Sequence, residues 1–147
     1  MKLDIPDVRK CCRENPPREG CDESWPEGWD EHTAVTLREA GRGVLTYLVN
    51  VSNRQLQEYQ KRNPQKDPAL LEAKFMWSVF LLALAIVTDY EKQDDSPKGL
   101  EASEQVITDD ESAASQRDVA VRRLTRAAAW TVFPVLDTVS SMEIEGD

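Results

Sequence analysis

The most reactive side chains of this sequence are three cysteines and a single histidine near its start: Cys11, Cys12, Cys21 and His32. Zinc takes four nitrogen or sulfur ligands in a tetrahedron, so a structural zinc site is one interpretation of this set. The sequence lacks the usual pair of cysteines separated by about two to four residues, and adjacent cysteines point in different directions. Ordinary reduced thiols are the simpler interpretation, with zinc or a Cys12–Cys21 disulfide as alternatives.

Catalytic chemistry has little support in the sequence. A histidine such as His32 can act as a general base, but it needs a nucleophile or a carboxylate within reach. Asp30 and Glu31 lie beside it, yet acidic residues at the start of a helix explain them equally well. The chain contains no nucleophile elbow, phosphate-binding loop, H-E-x-x-H motif or dinucleotide fingerprint. We therefore predict a protein that is not an enzyme and that holds no cofactor.

Four arginines make up the one basic cluster of the sequence: Arg117, Arg122, Arg123 and Arg126. Such a cluster can bind phosphate, nucleic acid or an acidic partner. It can equally pair with the acidic segment at residues 94–111 or with acids on neighbouring helices. No aromatic residues interleave with the arginines, so stacking on single-stranded nucleic acid is not indicated. Internal pairing is the favoured interpretation, and binding of an anion or an acidic partner is the alternative.

The composition limits the class of protein. The chain has 147 residues, 40% of them hydrophobic, which suits one folded domain. Its 18 Lys and Arg against 27 Asp and Glu give a net charge of −9, which disfavours general binding to nucleic acid or anionic lipid. The apolar run from Phe75 to Val87 is shorter than the roughly 20 residues needed to cross a bilayer. With no signal-peptide pattern and an odd number of cysteines, we expect a cytoplasmic protein without a membrane partner.

The hydrophobic periodicity predicts an all-α fold. Apolar residues recur at helical spacing in three stretches, at about 30–62, 68–92 and 109–140. We therefore expect a bundle of three main helices, with a short N-terminal helical segment and an acidic loop at about 93–108. The chain 1–147 is predicted to be a single helical domain.

Capping signals support the predicted starts of these helices. Asp30 is a plausible N-cap for the first helix. Asp67 followed by Pro68 combines a capping side chain with a proline suited to the first helical turn. Thr108 and Glu111 match a capping box at the start of the third helix.

Glycine and proline mark expected irregularities within the helices. Gly41 and Gly43 predict a kink or a close crossing in the first helix. Pro134 should kink or divide the third helix near Thr131.

The ends of the chain are expected to be less regular than its middle. Residues 1–29 read as an irregular segment that packs through Trp25 and Trp29, because two tryptophans in a short polar stretch rarely both face water. Residues 141–147 read as an acidic, frayed tail.

The middle of the second helix is apolar on every face, which predicts burial on every face. Three helices cannot enclose such an element, so one flank should remain open as an interface. We assign the interface to four residues of this helix: Phe75, Trp77, Phe80 and Leu84. The expected partner is a second copy, with the second helices near a two-fold axis, or another protein. The alternative is that the N-terminal segment covers the flank.

These observations favour a non-enzymatic interaction subunit, such as an adaptor, regulator or assembly component, that acts through an apolar helix face. One alternative is a nucleic-acid-associated regulator that uses the four arginines. Another is a small zinc-binding protein that uses the cysteines and the histidine.

Overall fold

The computed structural model describes residues 6–39, 44–94 and 110–145, and within these ranges the chain has a mixed α/β architecture. Four strands form one sheet, and four helices follow them along the chain. The strands are β1 (Asp7–Cys12), β2 (Glu23–Ser24), β3 (Val35–Glu39) and β4 (Leu45–Asn50). The helices are α1 (Arg54–Arg62), α2 (Pro68–Asp94), α3 (Asp110–Ala128) and α4 (Val132–Glu145).

The predicted all-α bundle of three main helices is wrong, because the stretch assigned to its first helix contains two strands. Between residues 30 and 62, β3 and β4 precede α1, and of the residues described there only the last nine are helical. Both strands are rich in β-branched and aromatic residues, which pack well on a pleated surface. The expected N-terminal helical segment is also wrong, because those residues form β1.

The sheet has the strand order β2-β1-β4-β3. β1 runs parallel to both of its neighbours, while β3 and β4 are antiparallel. The register sets Val8 beside Tyr47 and Lys10 beside Val49, and Val35 of β3 faces Val49 from the other side. β4 is therefore a central strand with a partner on each edge.

β4 is buried on both faces of the sheet. Tyr47 and Val49 belong to the main core that the helices build, whereas Leu48 packs with Cys11 and Trp29 in a second, smaller core. A strand that is covered on both faces shows a continuous apolar run rather than alternation. This burial explains why its residues also fitted a helical period.

The segment between β1 and β3 covers the sheet face opposite the helices. The indole N–H of Trp29 donates to Thr36 Oγ1 at 3.2 Å, and that of Trp25 donates to Asn50 Oδ1 at 2.8 Å. Asn50 is fully buried, and its Nδ2 donates to the carbonyl of Thr33 at 2.8 Å. The end of β4 and the loop before β3 are thus joined by buried hydrogen bonds.

Side chains cap the starts of α1 and α2, and an ion pair ties α2 to the loop after β1. Asn53 caps α1 by accepting from the backbone N–H of Gln55 at 2.9 Å. Asp67 Oδ1 accepts from the backbone N–H of Ala69 at 3.0 Å at the start of α2. Glu72 then accepts from Arg18 at 2.8 Å, which ties the first turns of α2 to the loop after β1.

The third predicted helix is two helices in the structure. The break lies at residues 129–131, between α3 and α4. Pro134 falls in the first turn of α4, where its missing N–H leaves no helical bond unmade. α4 continues to Glu145, so most of the stretch expected to be a frayed tail is helical.

Two other predicted features lie largely outside the described residues. Gly41 and Gly43 fall in the range 40–43, between β3 and β4. The acidic loop predicted at 93–108 falls mostly in the range 95–109, and its first two residues complete α2.

Candidate functional site

α2 has a buried face and an exposed face, although both are apolar. Phe75 and Val79 lie in the main core with 0% and 1% of their surface exposed. On the other side of the same turns, Leu70 and Trp77 are each 52% exposed and Leu81 is 56% exposed. Large apolar side chains in such a row are typical of a contact surface rather than of ordinary solvent-facing helix.

The exposed row continues along most of α2 and is called the α2 stripe here. It consists of Leu70, Lys74, Trp77, Leu81, Leu84 and Thr88. The residues alternate in steps of four and three, which is the spacing of the seam between two coiled-coil helices. Leu84 is half-buried at the margin of the stripe, and the other five are exposed.

The structure separates the four residues that the sequence assigned to an interface. Phe75 and Phe80 are core residues, with 0% and 4% of their surface exposed. Trp77 is exposed to solvent, and Leu84 lies at the edge of the stripe. The sequence does carry a signal for the open side, because Lys74 and Thr88 are the polar residues that share a face with Trp77.

α2 is also the one helix among the described residues that is long and apolar enough to span a bilayer. Within Pro68–Lys92, the most apolar 18-residue window has a mean hydropathy of 2.0, and 39% of that window is buried within the protein. This likeness to a membrane-spanning helix is one of length and composition alone.

Arg126 forms an ion pair with the loop before β3, in which one guanidinium nitrogen contacts both carboxylate oxygens of Asp30. Its Nη1 lies 2.8 Å from Asp30 Oδ1 and 2.9 Å from Asp30 Oδ2. Burial raises the pKa of Asp30, but hydrogen bonds from Arg126, from the backbone of His32 and from Thr33 outweigh it and hold that pKa below its usual value. Arg126 therefore joins α3 to the segment that covers the far face of the sheet.

The other arginines of the cluster differ from one another. Arg122 pairs with Asp118 one turn earlier at 3.4 Å, and Asp118 also accepts the backbone N–H of Leu37 at 3.1 Å on the edge strand β3. Arg123 has no ion pair with any described residue and lines a pocket of about 300 Å³ together with Arg122 and Arg126. Arg117 is half-buried, and its Nε has no hydrogen-bond partner among the described residues.

The cysteines and the histidine are not brought together around one point. Within residues 6–39, 44–94 and 110–145, no three His, Cys, Asp or Glu side chains are placed to hold a metal ion. Burial, with help from the Glu23 charge, raises the pKa of Cys11 to about 12. Burial and a hydrogen bond with Cys12 raise the pKa of Cys21 to about 12 as well. Both thiols are therefore protonated at neutral pH in the metal-free protein.

His32 lies in the loop before β3, beside the turn that joins α3 and α4. Its ring stacks on Trp130 with centroids 5.7 Å apart, and its Nδ1 lies 3.4 Å from Gln55 Nε2. Glu31 lies 3.6 Å from the other ring nitrogen. No hydroxyl or thiol nucleophile is among these contacts.

A second concave feature lies between α1 and α4 and involves residues that no local sequence pattern marks. Tyr59 donates its hydroxyl to Asp137, which is 78 residues further along the chain. Gln55 is buried on the same side of α1. Nothing in the spacing of these side chains indicates that they meet.

Comparisons of this chain with protein-family models, with curated proteins and with solved structures found no match.

Proposed function

We propose that this protein is a self-associating interaction subunit in which two copies pair through the α2 stripe in antiparallel orientation. The proposal rests on one observation: about half of the surface of Leu70, Trp77 and Leu81 is exposed, on a helix whose opposite face forms the core. Removing such side chains from water is the main favourable term in protein association. Tryptophan in particular tends to contribute strongly at the centre of an interface.

The spacing of the stripe residues indicates that the partner surface is another helix. Alternating steps of four and three bring side chains to one line along the helix, as in coiled-coil pairing. A second copy of the chain supplies a matching line from its own α2. At about 1.5 Å per residue, the stripe from Leu70 to Thr88 provides a contact line of about 27 Å.

The position of Lys74 favours the antiparallel arrangement. Lys74 lies in the N-terminal half of an otherwise uncharged stripe. Parallel pairing would set the two Lys74 ammonium groups against each other, whereas antiparallel pairing separates them along the contact line. A lysine within an otherwise apolar seam is a known means of fixing orientation.

Sedimentation velocity over a range of protein concentrations tests the proposal. The expected result is a monomer–dimer equilibrium, and Trp77→Ser should raise the dimer dissociation constant by about thirtyfold, as truncation of a central tryptophan costs about 2 kcal/mol or more. Trp130→Ser is the matched control, because Trp130 is 58% exposed but lies on a different surface. A monomer at all concentrations, or a dimer that Trp77→Ser and Leu81→Ser leave unchanged, would contradict the proposal.

The nucleic-acid alternative has weaker support. Arg126 and Arg122 already contact carboxylates of this chain, so phosphates would have to compete with them. Arg123 and the pocket beside it are what favour an anion or acidic partner. Binding to duplex or single-stranded nucleic acid that weakens steeply with salt, and that Arg122→Glu with Arg123→Glu abolishes, would support this alternative.

A further inference from the structure

The neighbouring cysteines of β1 point to opposite faces of the sheet. Successive residues of a strand alternate between the two faces. Cys11 packs with Trp29 and Leu48 on the face away from the helices. Cys12 is therefore directed to the helix side, where it is fully buried. Val8, four residues before Cys12, packs against the main core on that side, as the alternation requires.

Cys21 approaches the same side of the sheet from the loop before β2. Its backbone N–H donates to the carbonyl of Arg18 at 3.0 Å. The Arg18 guanidinium donates to Glu72 of α2 at 2.8 Å, and Glu72 also lies 3.5 Å from the Lys10 ammonium group. Lys10 lies two residues before Cys12 and so shares its face of β1. Both cysteines are thus placed beside the same charged residues near the start of α2.

Backbone hydrogen bonds hold the two cysteines close to each other. Asp22, the residue after Cys21, donates its backbone N–H to the carbonyl of Lys10 at 2.9 Å. The Asp22 carboxylate accepts the backbone N–H of Lys10 at 2.8 Å. Within this frame the thiols of Cys12 and Cys21 meet in a hydrogen bond. Both are unbridged, so the structure holds two reduced thiols in contact.

Cys21 is the thiol of the pair that solvent reaches. It is half-buried, whereas Cys12 is fully buried. Burial and the contact with Cys12 raise the pKa of Cys21 to about 12, while the Arg18 charge acts in the opposite direction. Only the thiolate is nucleophilic, so reaction of Cys21 is slow at neutral pH and accelerates as the pH rises.

We propose that Cys12 and Cys21 are a site of reversible disulfide formation, with a small linear disulfide such as oxidised glutathione as the oxidant. The Cys21 thiolate attacks one sulfur of the small disulfide, which forms a mixed disulfide and releases the first small thiol. Cys12 then loses its proton and attacks the Cys21 sulfur, which forms the internal bond and releases the second small thiol. The protein loses two electrons and two protons, and the small disulfide becomes two thiols.

The internal bond would join the end of β1 to the loop before β2. It closes the short ring of chain from Cys12 to Cys21. Closing a ring restricts the unfolded chain, so the oxidised protein should be the more stable form. None of these residues belongs to the α2 stripe, so a failure of this proposal and a failure of the dimer proposal are distinguishable.

Peptide mapping of the full-length protein tests the site. The folded protein is equilibrated with oxidised glutathione at mildly alkaline pH, remaining thiols are alkylated, and trypsin is added without reduction. Cleavage after Arg13 and Arg18 separates Cys21 from the other two cysteines. The expected product is a cross-linked pair of peptides that has lost two hydrogen atoms. Fragmentation should locate the bond at Cys12 in at least about tenfold excess over Cys11, because only Cys12 lies within reach.

The same reaction in concentrated urea is the control for the role of the fold. Unfolded chain should join Cys21 to Cys11 and to Cys12 in comparable amounts, since the sheet no longer separates them. Dithiothreitol should return the folded, cross-linked protein to its original mass. No internal cross-link in the folded protein, or a folded-state bond to Cys11 as abundant as that to Cys12, would overturn the proposal.

Cysteine variants provide a second assignment. Cys11→Ser is the matched control, because Cys11 is adjacent to Cys12 and equally buried. Cys11→Ser should still form the cross-link, whereas Cys12→Ser and Cys21→Ser should not, with circular dichroism to confirm that each is folded. The cross-linked wild type should unfold at a higher urea concentration than the reduced protein. A cross-link that persists in folded Cys12→Ser, or a lower urea midpoint on oxidation, would contradict the proposed pairing.

Discussion

Trp77 lies edge-on against Phe80, with ring centroids 5.6 Å apart and ring planes at 73°. The first ring is half-exposed and the second is 96% removed from solvent, so a core residue sets the orientation of the largest side chain of the α2 stripe. Phe80 in turn meets Tyr47 of β4 edge to face at 5.1 Å. The exposed surface of α2 is thus held in place by the sheet through two aromatic contacts.

The two sides of α2 should respond differently to truncation. Phe75→Ala removes a fully buried ring and should lower the free energy of unfolding by about 3–5 kcal/mol. Trp77→Ala should lower it by only about 1 kcal/mol when measured on dilute monomer, because half of this side chain is already exposed. Urea denaturation of both variants checks the difference. A loss for Trp77→Ala as large as that for Phe75→Ala would mean that the stripe belongs to the core.

Asn50 joins three parts of the chain through buried hydrogen bonds. Its Oδ1 accepts from Trp25 Nε1 at 2.8 Å and from the backbone of Ser52 at 2.9 Å, and its Nδ2 donates to Thr33. Asn50→Ala leaves these groups without partners, so we expect a loss of about 2–4 kcal/mol in the free energy of unfolding. The indole fluorescence of Trp25 should also shift to longer wavelength as water reaches it.

Asn63→Ala provides a matched control for Asn50. Its amide donates to one carbonyl, that of Tyr59, at the end of α1, where the side chain is only half-buried. We expect a loss below about 1 kcal/mol for this change. Equal losses for the two asparagines would contradict the role assigned to Asn50.

Glu23 and Arg38 connect β2 and β3, the two edge strands of the sheet. The guanidinium donates to both carboxylate oxygens, at 2.9 and 2.8 Å, and this hydrogen bonding holds the pKa of Glu23 below its usual value. A carboxylate with a lowered folded-state pKa stabilises the fold above the unfolded-state pKa of about 4.3, and this contribution is lost as the pH falls through the folded-state value.

Glu23→Gln should therefore cost stability at neutral pH and little in acid. We expect a difference of about 1 kcal/mol or less at pH 7, because the pair is partly exposed. The difference between the wild type and the variant should shrink as the pH falls below about 4. Urea denaturation across this range measures it, with Glu27→Gln as the control at an exposed glutamate that has no ion pair among the described residues. A difference that stays constant with pH would contradict the linkage.

The three cysteines should react slowly with alkylating reagents in the folded protein. Cys11 and Cys12 are fully buried, whereas Cys21 is half-buried, so Cys21 should be labelled first. Since its pKa is raised to about 12, the labelling rate should rise about tenfold per pH unit near neutral pH, without a plateau at the usual thiol pKa of about 8.5. Mass spectrometry after timed exposure to iodoacetamide, with Cys21→Ser as the control, checks both points. First labelling at Cys11 would contradict the buried position of β1.

The second helix could be located from sequence because its signals are local. Asp67 and Pro68 mark its start, and the structure begins α2 at Pro68 and ends it at Asp94, two residues beyond the predicted end. The division of the third predicted helix near Thr131 follows from Pro134, which cannot occupy a helix interior without breaking a hydrogen bond.

The sheet could not be read in the same way, because its evidence is not local. Tyr47, Leu48 and Val49 are all buried since β4 has a core on each face, and such a run fits a helical period as well as a strand. β1 pairs with β4 across almost forty residues of chain, as in the 39-residue separation of Asp7 and Thr46. A parallel pair of this kind leaves no turn motif between its strands.

The candidate surfaces could also be predicted only in part from local sequence patterns. A helix that is apolar all round predicts an open flank, but the flank that stays open depends on which turns the sheet and α3 cover. Phe75 and Phe80 are covered, whereas Leu70 and Leu81 are not. The meeting of Tyr59 with Asp137 depends on how α4 packs against α1, which no spacing within either helix indicates.

Mixing the wild type with Lys74→Glu tests the central claim most directly, with sedimentation velocity of the labelled wild type as the readout. In a parallel pair the two positions 74 face each other, so the mixed pair would gain an attraction that neither homodimer has. In an antiparallel pair the two positions are apart, and the labelled wild type should pair with the variant about as well as with itself. A mixed pair much tighter than either homodimer, or a labelled wild type that stays monomeric, would contradict antiparallel pairing through the α2 stripe.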